Sequence, residues 1–187
     1  MKINSIKELD APAIASFAQK VKKIRMIVLD VDGTMTDGSI YIGANGEVMK
    51  SFDGKDGMGI ALWHHAGFLT AIITGRKSEI VNRRAEELHI ASVTQGAVDK
   101  RAAYDALKKK YGLADDEIAY IGDDLNDLPI MTQVGLSVGV GDACAEVKER
   151  VDMVTEHAGG HGAIREAIEY MLKAKNLWDG LMHELFI

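Results

Sequence analysis

The stretch IVLDVDGTMTDG, from Ile27 to Gly38, joins an apolar run to two aspartates one residue apart. The aliphatic residues are typical of a buried strand, and they lead directly into Asp30 and Asp32. Two carboxylates this close repel each other unless a cation lies between them or one of them is protonated. The stretch therefore predicts a polar site at the tip of a core strand.

Further strand-like runs follow along the chain, with helical segments between them. This alternation is typical of a parallel sheet with helices on both faces, so we predict a Rossmann-like α/β fold. Two helix ends are also predicted: Ser78 begins one helix as its N-cap, and Gly112 ends the helix that starts near Lys100. The strand-like runs are MIVLDV, FLTAIIT, IASVTQ, IAYIG, LSVGV and DMVT.

A β-hairpin is predicted at about residues 39–52, directly after the first strand. Asn45 and Gly46 lie between two short runs of strand-forming residues, and both tolerate positive φ. No repeat, low-complexity tract or proline-rich linker interrupts the 187 residues, so we predict one domain, 1–187. The apolar tail at about 175–187 is predicted to pack on its own chain or against another subunit.

Charge and composition limit the possible partners. The formal net charge of −6 argues against a nucleic-acid partner, because such binding usually needs a basic face. Cys144 is the only cysteine, which fits a cytoplasmic protein. Residues Met1 to Ile14 lack the apolar core of a secretory signal. The uncharged segment from Gly57 to Gly75 could span a bilayer, but Gly67 divides it into a helix-like and a strand-like half, so no membrane partner is predicted.

Polar residues follow several predicted strands, at the edge where ligands bind in parallel α/β sheets. Asp30 suits a nucleophile, and Asp32 suits a general acid and base. Asp123 adds a carboxylate of the kind that magnesium prefers. Thr74, with the backbone N–H that follows it, and Lys100 suit phosphate oxygens. Magnesium and Lys100 should keep Asp30 ionised, whereas Asp32 should be protonated to serve a leaving alcohol.

The aspartates also allow other interpretations. An EF-hand calcium loop starting at Asp30 is excluded, because its sixth position is Met35 instead of Gly and its twelfth is Tyr41 instead of Glu. Asp124 and Asp127 could simply be helix caps without a role in the site. The occurrence of all the polar features in order after predicted strands favours a catalytic site.

The motifs DVDGT, ITGR and GDDLND, with Lys100 between the last two, resemble the four motifs of the haloacid dehalogenase superfamily of phosphatases. The resemblance implies that Asp30 attacks phosphorus and forms an aspartyl-phosphate. It also implies that Asp32 protonates the leaving group and then activates water. The implied magnesium ligands are the Asp30 carboxylate, the Asp32 main-chain carbonyl and Asp123, with Asp124 and Asp127 in support.

Chain length narrows the subclass. Only 39 residues separate Thr34 from Thr74, and 25 separate Thr74 from Lys100. Neither gap holds a cap domain of the usual minimum size, so the chain resembles the capless subclass, with only the hairpin near its site. A neighbouring subunit is then the expected means of excluding water.

Within that subclass, DGSIYIGANGEVMKSFDGKDGMGI, ITGRKSEIVNRRAEEL and AGGHGAIREAIEYML resemble the phosphatase family that acts on 3-deoxy-D-manno-octulosonate 8-phosphate in lipopolysaccharide synthesis. The resemblance implies a homotetramer in which hairpins meet and the tail approaches a neighbour's site. Ala61 departs from the pattern, since relatives often carry arginine there. A nine-carbon sugar acid phosphate, a broad range of phosphates and a non-catalytic scaffold remain alternatives, and Arg84 could instead be an exposed helix residue. The implied substrate contacts are Asp32, Asp53, Gly54, Lys55, Asp56, Gly57, Arg76, Arg84 and Lys100.

Overall fold

The computed structural model describes residues 11–187, with side chains from Phe17 onward. Most of the N-terminal stretch predicted to lack a secretory signal therefore lies outside the described residues. The strands, in chain order, are β1 (Met26–Leu29), β2 (Tyr41–Gly43), β3 (Gly46–Met49), β4 (Leu69–Ile73), β5 (Ser92–Thr94), β6 (Ile118–Gly122), β7 (Leu136–Gly139) and β8 (Met153–Val154).

Six of these strands form one parallel sheet in the order β5-β4-β1-β6-β7-β8. All four residues of β1 are buried, as expected for the aliphatic run that precedes Asp30. The chain moves from β1 towards β5, then returns to β6 and continues outward to β8. The strand order therefore reverses between β1 and β6, which is where ligands bind in such sheets.

The helices between the strands form separate layers. Helices α1, α2 and α7 pack together, whereas α4 packs with α5. Helix α2 lies in the crossover from β1 to β4, whereas α4 and α5 lie in crossovers that run the opposite way, from β5 to β6 and from β6 to β7. Right-handed crossovers in opposite directions place their helices on opposite faces of the sheet, which confirms the predicted fold class. The helices are α1 (Ala11–Lys23), α2 (Gly54–His65), α3 (Glu79–Glu87), α4 (Lys100–Tyr111), α5 (Leu128–Met131), α6 (Ala145–Lys148), α7 (Ala163–Ala174) and α8 (Trp178–Leu185).

The predicted hairpin is present as the antiparallel pair β2 and β3. Its turn lies one residue earlier than the sequence indicated, because Gly43 pairs with Gly46 and leaves Ala44 and Asn45 as the loop. Gly46 has a φ of +109°, whereas Asn45 is not among the described residues with positive φ. The glycine alone thus supplies the left-handed backbone that the turn needs.

The C-terminal part of the chain is helical and packed. The apolar stripe of α7 (Ile164, Ile168, Met171 and Leu172) is buried, and Leu181 of α8 joins the same core. The Trp178 ring lies 5.3 Å from the guanidinium carbon of Arg165. Most of the tail thus forms a helix on its own chain, although Ile187 remains 91% exposed.

The uncharged segment from Gly57 to Gly75 forms most of α2 and all of β4, with Gly67 at a φ of +86° between them. Among the described residues, 11–187, none of the helices combines the length and the apolar character needed to cross a bilayer.

Candidate active site

The loop after β1 turns sharply at the carboxyl edge of the sheet. The Asp30 N–H donates to the Ile121 carbonyl (3.1 Å), which extends the pairing of β1 with β6 by one residue. The N–H groups of Thr34 and Thr36 then both donate to the Val31 carbonyl, at 3.2 and 3.0 Å. This turn holds the two aspartates of the motif at the point where the strand order reverses.

A cleft of about 170 Å³ opens at this edge and contains most of the predicted catalytic side chains. They come from the loops after β1, β4 and β6, as the strand-end argument predicted. Asn126, which was not predicted, also contributes. The cleft is lined by Asp30, Asp32, Thr74, Gly75, Arg76, Asp123, Asp124 and Asn126.

Lys100, the first residue of α4, contacts two carboxylates of the site without lining the cleft itself. Its ammonium lies 2.8 Å from Asp30 Oδ1 and 2.7 Å from Asp127 Oδ1, and only 2% of its side chain is exposed. Burial acts to lower the pKa of Lys100, but the charges of Asp30 and Asp127 outweigh it and raise the pKa above its usual range. Lys100 is therefore a permanent positive charge beside the predicted nucleophile.

Asp127 is buried and its carboxylate is fully occupied by donors from its own chain. Asp127 Oδ1 accepts from Lys100 Nζ and from the Tyr120 hydroxyl (2.6 Å). Asp127 Oδ2 accepts from the N–H groups of Asp123 (3.0 Å) and Asp124 (3.2 Å). These four contacts hold both Lys100 and the loop that carries Asp123 in place.

Asp30 and Asp123 crowd negative charge into the cleft. Burial and the charge of Asp127 raise the pKa of Asp30 to about 6, although Lys100 opposes the shift. Burial and the charges of Asp30 and Asp127 raise the pKa of Asp123 to about 7, although Asp123 Oδ1 accepts a hydrogen bond from the Thr34 hydroxyl (2.9 Å). One buried ammonium does not balance three carboxylates, so the site favours a further cation.

The donor set fits magnesium. Oxygen atoms of Asp30, Asp123 and Asp127 lie within 4.8 Å of one another, which is close enough to share one ion. Among the described residues, buried Asp30 Oδ1 has no hydrogen-bond partner beside its ion pair with Lys100. Since the Asp127 oxygens already accept four donors, the Asp30 and Asp123 carboxylates are the ones left to hold a hard cation.

Asp32 has partners that the sequence did not predict. Its Oδ1 contacts the ammonium of Lys50, the residue after β3, and its Oδ2 lies 3.7 Å from Arg76 Nε. Lys50 also contacts Glu47 Oε1 at 3.0 Å. The sequence predicts a protonated Asp32 but no ammonium partner for it; because Oδ1 contacts Lys50, the proton that its role as an acid requires belongs on Oδ2. The difference arises because the Lys50 contact bridges residues 18 positions apart.

The predicted substrate contacts around α2 lie elsewhere. Asp53 is the N-cap of α2, where it accepts from the Lys55 and Asp56 N–H groups. Asp56 is buried, and its carboxylate accepts from the N–H groups of Gly162 (3.4 Å) and Arg165 (2.7 Å) at the start of α7. A carboxylate in that position caps a helix N-terminus instead of facing the cleft.

The other four predicted substrate residues around α2 and α3 also lie outside the cleft of their own chain. Lys55 lines a separate cavity of about 540 Å³ between α2 and α7. Arg84 pairs with Glu87 (2.8 Å). Its guanidinium also lies against Gly57, where a Cβ would be only 2.6 Å from Arg84 Nη2. Gly54, the first residue of α2, has open space on its Cβ side. Ala61, which stands where relatives often carry arginine, is exposed on α2 and does not line the cleft.

The AGGHG segment before α7 packs directly on the catalytic loop. The Gly160 N–H donates to the Thr34 carbonyl (3.0 Å). A Cβ on Gly159 would lie only 1.8 Å from the Gly33 carbonyl oxygen, so no other residue fits without moving the backbone. The segment therefore sets the position of the turn that follows the two aspartates.

Besides Asn126, sequence reasoning missed three residues of the site. Thr34 is part of the DVDGT motif and could have been assigned from it. Tyr120 lies in β6 just before GDDLND, where a polar tip on a buried strand residue is a recognisable signal. Lys50 carried no such signal, because its role depends on how the hairpin folds over the cleft.

Comparisons with known proteins agree with this geometry. Residues 68–168 match the family model described as haloacid dehalogenase-like hydrolase. The chain is 44% identical over 168 residues to the 3-deoxy-D-manno-octulosonate 8-phosphate phosphatase KdsC of Escherichia coli (strain K12), covering 90% of this chain and 89% of that protein.

Solved structures are similar over almost the whole chain. The phosphatase of the same description from Moraxella catarrhalis, in complex with magnesium, phosphate and KDO, has a TM-score of 0.88 and 39% identity and covers 94% of this chain and 99% of its own. The Yersinia pestis phosphatase has a TM-score of 0.86 and 41% identity and covers 88% and 89%.

Proposed function

The chain belongs to the haloacid dehalogenase-like hydrolase family, and from that premise we propose that it is a magnesium-dependent phosphatase of 3-deoxy-D-manno-octulosonate 8-phosphate. The products are the free sugar acid and inorganic phosphate. The observation that carries the proposal is the cleft lined by Asp30 and Asp123, with the buried Lys100 ammonium 2.8 Å from Asp30. The similarity to phosphatases of this substrate extends across about 90% of the chain, which supports the choice of substrate.

In the proposed reaction, an Asp30 carboxylate oxygen attacks phosphorus while the bond to the sugar oxygen breaks. Asp32 gives a proton to that departing oxygen. In the second step Asp32 takes a proton from water, the water oxygen bonds to phosphorus and the aspartyl-phosphate is cleaved. Thr74 and the Gly75 N–H, which both line the cleft, orient phosphate oxygens, and Arg76 contacts the substrate from the rim.

Magnesium would neutralise negative charge in this reaction. When bound, it offsets the negative charge of the carboxylates and of the phosphate that must approach them. Asp30, Asp123 and the Asp32 main-chain carbonyl would hold it, with Asp124 and Asp127 in support. Lys100 favours the ionised form of Asp30, and in the proposed complex it also contacts the phosphate.

We also propose that one domain carries this activity and that four copies assemble through their hairpins. The hairpin exposes apolar side chains that a monomer would leave in water. Lys55 lies outside the cleft of its own chain, so in this assembly it would contact a substrate bound by a neighbouring subunit. We place the enzyme in the cytoplasm, in lipopolysaccharide synthesis. The exposed hairpin residues are Ile40, Tyr41, Ile42, Val48 and Met49.

Two measurements test the reaction and the substrate. Asp30→Asn should abolish phosphate release in the presence of magnesium while the circular dichroism spectrum is unchanged. Near-normal turnover would refute the assignment of Asp30 as the nucleophile. A comparison of kcat/KM for the eight-carbon and nine-carbon sugar acid phosphates tests the substrate. A higher kcat/KM for the nine-carbon ester would change the assigned substrate but not the reaction class. If the wild type hydrolyses neither ester, the result would favour the alternative of a non-catalytic scaffold.

A further inference from the structure

Lys50 has a buried side chain on an otherwise exposed hairpin. Only 1% of its side chain is exposed, whereas Ile42 and Val48 of the same hairpin are 71% and 61% exposed. Burying an ammonium costs free energy unless it is paired with negative charge. Lys50 has two such partners, Asp32 and Glu47, so it links the hairpin to the catalytic loop.

The position of Lys50 is fixed from a second direction. Glu47 Oε2 accepts a hydrogen bond from the Ser78 hydroxyl. Ser78 is the N-cap of α3, and its N–H donates to Gln95 Oε1 at 2.6 Å. A continuous chain of contacts therefore runs from Asp32 through Lys50 and Glu47 to the rigid start of α3.

This chain of contacts leaves the two oxygens of Asp32 in different surroundings. Oδ1 is held by Lys50, whereas Oδ2 lies towards Arg76, whose side chain is 45% exposed at the cleft. A carboxyl group fixed through one oxygen has a defined direction for the other. On the basis of the proposed phosphatase function, we propose that Lys50 is a positioning residue that directs Asp32 Oδ2 to the reacting oxygen.

Both steps of the reaction use that same oxygen. In the first step, Asp30 bonds to phosphorus, the phosphorus–ester bond breaks, and Oδ2 of Asp32 delivers its proton to the departing oxygen. In the second step, water bonds to phosphorus, the Asp30–phosphorus bond breaks, and Oδ2 takes the water proton. A group that serves as acid and then as base at one place needs a fixed orientation, which the Lys50 contact provides.

Single-turnover kinetics with excess enzyme and magnesium can separate this role from a merely structural one. The sugar acid phosphate has an alkoxide leaving group that needs a proton, whereas p-nitrophenyl phosphate releases a phenolate that does not. We expect Lys50→Met to slow the first turnover of the sugar ester by about 10- to 100-fold. Release of p-nitrophenolate should change by less than about threefold, because it does not depend on acid catalysis. Lys50→Arg should recover part of the loss.

A matched control is available in Lys108, which also bridges two carboxylates, Asp115 (2.8 Å) and Asp105 (3.2 Å), but does not line the cleft. Lys108→Met should leave both first-turnover rates unchanged. In an Asp32→Asn background, Lys50→Met should cause no further loss on the sugar ester, since it acts through Asp32. Equal losses on both esters, or a full additional loss in the double variant, would overturn the proposal.

The outcomes for the inference and for the proposed function are distinct. A wild type that is inactive on both esters refutes the phosphatase function itself. An active wild type whose Lys50→Met variant behaves like Lys108→Met refutes only the role of Lys50. If Lys50→Met does not fold, Glu47→Gln takes its place, because this variant weakens the contact that holds Lys50 without removing the ammonium. Glu47→Gln should slow the first turnover of the sugar ester selectively. Equal slowing of both esters would count against the proposal.

Discussion

The Lys100 ammonium and the Asp30 carboxylate lie 2.8 Å apart, and both side chains are almost completely buried. Lys100 shares its charge with Asp127 at a similar distance, while Asp123 contributes a third carboxylate. The arrangement therefore has an uncompensated negative charge in the absence of magnesium. Several measurable properties of the protein follow from that imbalance.

Removing the ammonium should destabilise the protein as well as inactivate it. Lys100→Met leaves Asp30 and Asp127 buried without their counter-ion, and loss of one partner from a buried ion pair costs about 3–5 kcal/mol. The free energy of unfolding, measured in urea, should fall by that amount, and phosphate release should be lost. Lys108→Met, which breaks a more exposed cluster, should cost about 0–1 kcal/mol. Equal stability of the two variants would contradict this account.

Magnesium binding should depend on pH between about 6 and 7. The pKa values of Asp30 (about 6) and Asp123 (about 7) are both raised above the usual 3.8. In the magnesium-free protein, these two groups contribute stability below pH 3.8 that is lost as the pH rises through 6 and 7. Because magnesium needs both groups ionised, protons compete with it at lower pH.

The measurement is the shift in Tm on adding magnesium, taken at pH 6 and at pH 8. The shift should be larger at pH 8, and calorimetry in buffers of different ionisation enthalpy should detect proton release near pH 6.5. Asp123→Asn removes one ligand and should reduce the shift at pH 8. A magnesium-induced shift that is equal at both pH values would argue against the raised pKa values.

Asp56 offers a test between a substrate contact and a helix cap. Asp56→Ala removes the acceptor for the N–H groups at the start of α7, and loss of a cap costs about 1–2 kcal/mol. We therefore expect lower thermal stability with little change in KM. Asp56→Asn keeps an acceptor oxygen and should lose less. A raised KM with unchanged stability would restore the substrate contact that the sequence resemblance implied.

The hairpin should control assembly without affecting the fold. Ile42 is 71% exposed, so Ile42→Glu should leave the circular dichroism spectrum of the folded subunit nearly unchanged. If hairpins meet in a tetramer, a buried charge at the contact should lower the molar mass measured by light scattering. Val98→Glu, at a site that is 98% exposed outside the hairpin, is the matched control. An unchanged molar mass for Ile42→Glu would show that the hairpin does not form the interface.

Local patterns predicted most of the fold, because the features concerned are local. Ser78 caps α3, and Gly112 ends α4 with a φ of +64°, both as expected from residue type. The convergence of Asp30, Thr74 and Asp123 also followed from one rule about strand ends in parallel sheets. These predictions needed only the order of the elements and the chemistry of single residues.

Contacts between distant segments were not predictable in this way. Asp56 resembles a second cap residue for α2, yet it caps α7, which begins more than a hundred residues later. Lys50 follows an exposed hairpin strand and gives no sign that its side chain turns inward to Asp32. In both cases the side chain's partner is set by the packing of the whole fold.

The central place of β1 also affects how the protein is made. On the ribosome β1 is synthesised first among the strands, but its partner β6 begins only at Ile118. At about 5–20 residues per second, β1 waits about 5 s or longer for that partner. During this time β4 can already pair with one edge of Met26–Leu29, but the edge that later pairs with β6 stays open to chaperones and to association with other chains. The strand that carries the nucleophile is thus completed late in folding, and no fragment ending before β6 acquires the site.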